Sequence, residues 1–88
     1  GPYTRRDIEE VGIKSAALAS ENFMLAIVAQ GGAVCPMEGY DDRRLRKLLK
    51  LKRSANIVMV IAVGHEADRG TWGPQFRLPI DQVVHTLN

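Results

Sequence analysis

A few side chains in this 88-residue chain are of types that could do chemistry: one cysteine (Cys35), a carboxylate three positions on (Glu38), two histidines (His65 and His85) and Arg77. A thiol works as a nucleophile when a base activates it. No histidine lies near Cys35 in sequence, so it reads more simply as a small buried apolar residue. A single cysteine also excludes an internal disulfide framework and a cysteine cluster for zinc. His65 and His85 have no acidic companion at ligand-like spacing, so no metal site is expected. Glu38 could serve as a general base. The planar, permanently charged guanidinium of Arg77 suits a phosphate, which it can grip with paired hydrogen bonds. Its plainer reading is a solvated arginine at the edge of a loop. Trp72 and Phe76 precede Arg77 and could cover a ligand or anchor that loop.

Those residues need elements to position them. Asp7-Ile8-Glu9-Glu10 reads as a helix start, with carboxylates where the helix dipole favours them. No proline follows before Gln30, and the apolar residues become almost continuous from Phe23 to Ala29. Such a helix is expected to be buried on most sides. Gly31-Gly32 ends it. Residues 33–40 read as a loop punctuated by Pro36 and Gly39. Asp41-Asp42 can cap a second helix carrying Leu45, Leu48 and Leu49. Residues 57–63 are rich in β-branched side chains and apolar throughout, which indicates a strand buried on both faces. Residues 65–76 read as an exposed loop, and residues 77–85 as an extended tail. A single two-faced strand cannot satisfy its own backbone groups. Its partners are therefore expected from another segment or another chain.

The bulk properties exclude several classes. Apolar residues make up 45% of the chain, which is globular rather than disordered composition. The sequence offers no run of about 18 apolar residues for a membrane span and no signal-peptide pattern. Gly1-Pro2 resembles a scar left by tag cleavage, leaving residues 3–88 for the fold. A cytoplasmic setting is the default expectation. Net charge is only +2, yet seven of the twelve basic residues fall between Arg43 and Arg53. That run could attract nucleic acid. Its leucines, however, give it an apolar face, and no aromatic residues are interleaved for base stacking. A solvated surface helix is the better account, able to steer small anions.

Cys35-Pro36-Met37-Glu38-Gly39-Tyr40, placed after a helix ending in Gly31-Gly32, resembles the flavin loop of the nitroreductase family. Asn22-Phe23-Met24-Leu25-Ala26 resembles that family's central helix, and residues 57–64 its core strand. Arg77-Leu78-Pro79 followed by Val83-Val84-His85 resembles its phosphate segment and tail. The likeness covers roughly residues 12–86. It implies an α+β three-layer fold, of which this chain is the C-terminal half, normally an intertwined homodimer with flavin mononucleotide (FMN) at the subunit interface. It further implies that Pro36 and Met37 pack on the flavin ring, that the backbone N–H groups of Glu38 and Gly39 meet its N5 and O4 edge, and that Arg77 holds the phosphate. The glycine at 39 would let the backbone approach the ring. Many members carry a second basic residue two positions before that arginine; here Gln75 stands there.

The implied reaction is ping-pong: NAD(P)H reduces FMN, which then reduces a nitroaromatic, quinone or similar small-molecule acceptor. No side chain of this segment is expected to be catalytic in its own right. The family's N-terminal half, with its arginine- and serine-containing phosphate motif, has no counterpart in residues 3–6. The chain is therefore expected to act with a complementing half or in a homo-oligomer, and to be incomplete as a catalyst alone. The rival expectation is a non-catalytic oligomerising module that keeps the helix and tail but has lost the flavin.

Overall fold

Thr4 starts the first helix. Its hydroxyl accepts from the Asp7 backbone N–H at 3.1 Å, and its own N–H donates to Asp7 Oδ2 at 2.8 Å. This reciprocal capping box satisfies two donors that a helix end would leave bare. In the computed structural model, which describes residues 3–70 and 73–87, α1 therefore spans Arg5–Ala29. It begins two residues before the expected Asp7, which is its third residue. The two hydrogen bonds, backbone first, hold the Asp7 carboxyl below its ordinary value of 3.8. Gly1 and Pro2 lie outside the described residues.

The end of α1 is equally specific. Gly31 takes φ +87°, its N–H donates to Val28 O, and the Gly32 N–H reaches back to Ile27 O, both at 3.0 Å. This is the Schellman pattern, which turns the chain sharply out of a helix. A Cβ at Gly32 would sit 2.7 Å from Ile27 Cγ2. Gly31 therefore supplies conformation and Gly32 supplies space.

The chain emerges directly into a strand, which corrects the expected loop. β1 (Ala33–Met37) pairs antiparallel with β2 (Val60–Gly64), in register from Ala33 opposite Gly64 to Met37 opposite Val60. The core strand thus finds one neighbour within this chain, where none was expected. Residues 57–59 lie before the ladder begins. Pro36 reads as punctuation in sequence, yet proline is tolerated in a strand with an open edge. Both β1 and β2 have one, since the sheet has two strands.

Between them, α2 (Asp42–Leu49) is capped by Asp41, whose carboxylate accepts from the Arg44 N–H at 3.1 Å. It ends at Lys50, which holds the left-handed conformation at φ 54°. The described parts of the stretch from 65 to 76 form a loop, as expected. The tail is not wholly extended: α3 (Ile80–Val83) forms one short turn after Pro79, closed by Val84 N–H donating to Ile80 O at 2.8 Å.

Helix α1 was expected to be buried, but among the described residues no side chain is buried. A compact monomer of 9.7 kDa exposes about 5,100 Å², whereas this chain exposes 8532 Å². Its radius of gyration is 17.2 Å, against about 12 Å for a compact chain of this length. Leu18, Phe23, Leu25 and Val28 all stand open. The apolar residues are thus correctly distributed for a core that this segment does not close by itself. One expectation also changes: α1 is long and apolar enough, by length and composition, to cross a membrane. A core helix of a soluble protein meets the same measure.

Candidate functional site

The loop at the end of β1 is built by the sheet that precedes it and the helix that follows. Register puts Pro36 opposite Ile61 and Met37 opposite Val60. Alternation along a strand turns successive side chains to opposite faces, and Met37 is the last residue of β1. Met37 joins Gly39, Tyr40 and Val60 around a shallow concavity of about 290 Å³. Glu38 and Gly39 lie beyond the ladder, both exposed. Their backbone N–H groups donate to no acceptor among the described residues. A Cβ placed on Gly39 would meet nothing within 4 Å. The loop thus presents two free amide donors and open space above a glycine.

Two contacts that sequence reasoning missed hold this loop still. Tyr40 Oη donates to the Ile57 carbonyl at 3.1 Å. Arg46 Nε pairs with Asp42 Oδ2 at 2.6 Å while its Nη1 donates to Ala55 O at 2.5 Å. Each joins the loop–α2 unit to the segment entering β2. The leucine spacing of α2 could have hinted at Arg46, which falls next to Leu45 on the side turned inward. No sequence signal singles out the Tyr40 bond.

Arg77 lies apart from this framework. It is exposed, and its Nη1 donates to the neighbouring Phe76 carbonyl at 3.0 Å. Among the described residues no hydrogen bond or ion pair ties it to residues 36–39. Phe76 is 77% exposed. Trp72 lies outside the described residues. Cys35, expected to be buried, is exposed. It lines a second, wider concavity of about 530 Å³ together with Val28, Gly32, Ala62 and His65. Among the described residues no group of three or more potential metal ligands comes together.

The sequence profile of the nitroreductase family matches residues 2–65. The chain belongs to the nitroreductase family. It is 29% identical over 75 residues to MhqN, a candidate NAD(P)H nitroreductase of Bacillus subtilis (strain 168), covering 85% of this chain and 36% of that protein. To a Thermus thermophilus protein named NADH dehydrogenase it is 38% identical over 61 residues, covering 69% of this chain and 29% of the other. The chain thus spans about a third of the length of the curated relatives it matches. Among solved structures, a candidate NAD(P)H:FMN oxidoreductase from Staphylococcus epidermidis superposes with a TM-score of 0.84 at 24% identity, over 97% of this chain and 39% of that one. A nitroreductase-family protein from Streptococcus pneumoniae TIGR4 gives 0.80 at 23% identity, over 96% and 41%. These two likenesses establish the α+β nitroreductase fold.

The free amides of Glu38 and Gly39 fit the edge of a flavin in kind: they are donors, they are unpaired, and the glycine beside them leaves room.

Proposed function

We propose that residues 36–39 form the flavin-facing wall of an FMN-dependent NAD(P)H oxidoreductase, which reduces nitroaromatics, quinones or similar small molecules by a ping-pong mechanism. The observation that carries this reading is the pair of unpaired amide donors at Glu38 and Gly39, set beside Met37 at the mouth of β1. When bound, FMN supplies a ring that accepts hydride and passes electrons on. The chain's own residues orient it. Fixed amide donors stabilise negative charge where it develops and give up no proton in doing so. Met37 offers a soft apolar surface to the ring. Pro36 fixes φ in the strand that aims the loop. Arg77, with Gln75 nearby, holds the phosphate end.

The remainder of the site and the cover for the core come from additional protein, either a complementing N-terminal half or a second copy. The excess of exposed surface, roughly 3,400 Å² over a compact monomer, is on the scale of an obligate interface. A homodimer in the cytoplasm accords with this reading, and the chain alone is an incomplete catalyst. The bare apolar surface equally favours a second reading, a flavin-free oligomerising module. The visible spectrum of the purified protein separates the two. Absorption bands of bound flavin, or their appearance after FMN is added, support the oxidoreductase. A colourless protein that takes up no FMN overturns it in favour of the module.

A further inference from the structure

The basic run is the strongest charge feature outside the loop. Residues 41–53 carry seven cations and two aspartates, so this segment is strongly positive while the rest of the chain is net negative. The two aspartates are already engaged, Asp41 with Arg44 at 3.7 Å and Asp42 with Arg46 at 2.6 Å. Among the described residues, Arg43, Lys47, Lys50, Lys52 and Arg53 have no carboxylate partner, and all five are exposed. Arg43 and Lys47 stand at i and i+4, on one face of α2, and Lys50 follows at the helix's left-handed end. That face has a fixed place. Asp41 caps α2 directly after Gly39 and Tyr40, and the Tyr40 and Arg46 bonds brace both to the segment before β2.

We infer that these exposed cations form a docking surface for the phosphates of the hydride donor, drawing NAD(P)H to the loop at residues 36–39 and favouring NADPH over NADH. The inference rests on the reading of that loop as flavin-facing. A nicotinamide over a flavin trails its pyrophosphate beside the ring, and α2 adjoins the loop with an axis about 12 Å long. NADPH adds a phosphomonoester of about −1.5 to −2, so it gains more from this face than NADH does. Duplex nucleic acid is the poorer fit, because one short helix without interleaved aromatic residues offers neither stacking nor a long charged track.

The test uses the FMN-loaded protein and the triple variant R43Q/K47Q/K50Q, in which glutamine keeps side-chain bulk and, at 43 and 47, helix propensity. Flavin reduction is followed with NADPH, NADH and an uncharged N-benzyl dihydronicotinamide. At an ionic strength of about 0.02 M, where screening is weak, the variant should lose about tenfold in kcat/KM with NADPH. It should lose less with NADH and nothing with the uncharged donor, and the differences should close by about 0.3 M salt. Equal losses with all three donors, or no loss with NADPH, overturn the inference. A second arm needs no flavin: NADP⁺ added to the ¹⁵N-labelled full chain at low salt should shift backbone amides within residues 42–53, and not in the variant. Absence of those shifts also overturns it. Should the protein refuse FMN while NADP⁺ still moves these amides, the flavin reading falls and the anion surface stands. Displacement of NADP⁺ by a short single-stranded DNA at equal salt would reassign the face to nucleic acid and overturn the inference.

Discussion

The Tyr40 hydroxyl donates to the carbonyl of Ile57 at 3.1 Å, and the two residues stand where the β1–β2 register would place them had the ladder continued. Met37 opposite Val60 is the last backbone pair. Three residues further along each strand, a side chain makes the tie that the backbone has stopped making. The loop between, Glu38-Gly39, is therefore clamped at both ends while its own N–H groups stay free. A clamp of this kind keeps donors aimed outward without using them up.

Replacing Tyr40 by Phe removes that clamp and little else. A neutral hydrogen bond to a half-buried carbonyl contributes about 1 kcal/mol, so the variant should lose about that much in denaturant unfolding. If residues 36–39 face a flavin, FMN affinity should also fall, because the amides are no longer held in place. An unchanged FMN dissociation constant would separate the clamp from the cofactor.

Gly39→Val asks the complementary question. Nothing lies within 4 Å of a Cβ at this position, and its φ is not in the left-handed region. The substitution should leave thermal stability within about 0.5 kcal/mol, as surface changes do. A ring approaching the backbone would meet the new methyl groups, so FMN uptake should drop at least tenfold. Full FMN binding by the variant would count against ring contact at residue 39.

The turn after α1 separates conformation from space. Gly31→Ala forces a left-handed residue to carry a Cβ in open surroundings, costing about 1 kcal/mol. Gly32→Ala instead drives a methyl to 2.7 Å from Ile27 Cγ2, 3.2 Å from Ile27 O and 3.6 Å from Gly64 O. It should be the more damaging of the two, with a lower melting temperature and weaker protection of β1 amides in hydrogen exchange. Lys50→Gly, at the left-handed end of α2, should stabilise by up to about 1 kcal/mol on the same reasoning.

Arg46→Lys should not be conservative. Two different guanidinium nitrogens reach Asp42 and Ala55, and the side chain is only 27% exposed. An ammonium cannot span both in that geometry. A loss of about 1–2 kcal/mol is expected, with faster amide exchange in residues 50–57.

The capping box gives a pH signature. The Thr4 N–H and hydroxyl lower the folded carboxyl of Asp7 below 3.8. Its contribution is therefore fully present above the unfolded value and is lost as pH falls through the lower folded one. Carboxyl titration by NMR should show Asp7 titrating below the ordinary aspartate range. Helix content at the N-terminus of α1 should be steady at neutral pH and decline only in that acid window. Thr4→Ala should bring the Asp7 midpoint back toward its ordinary value and cost about 1 kcal/mol.

Local signals in the sequence located both long helices closely. An unbroken stretch before Gly31-Gly32 and an aspartate before spaced leucines each carry their own boundary. β2 was legible as a β-branched run, although only its second half joins the ladder. β1 was not, because Pro36 and Gly39 look like turn residues until a strand from over twenty residues away pairs with the chain around them. α3 is a single turn after Pro79, too short for periodicity to reveal. At the candidate site, family resemblance singled out Met37, Glu38 and Gly39, which the structure sets at the open end of β1. The clamp by Tyr40 and the brace by Arg46 were not, since each depends on a carbonyl distant in sequence. Burial was misjudged for Cys35 and α1 because composition reports what a side chain prefers, whereas exposure depends on what is packed against it.

Chronology follows from the β1–β2 pairing. Only residues 38–59 separate the two strands, and α2 takes up part of that span. Closing so short a loop costs little entropy, and local pairings of this kind form early. The hairpin-like unit can thus assemble first and then wait with two unpaired edges. Those edges are seeding rails for whatever strands arrive next, and the same rails will recruit copies of themselves if nothing else arrives in time.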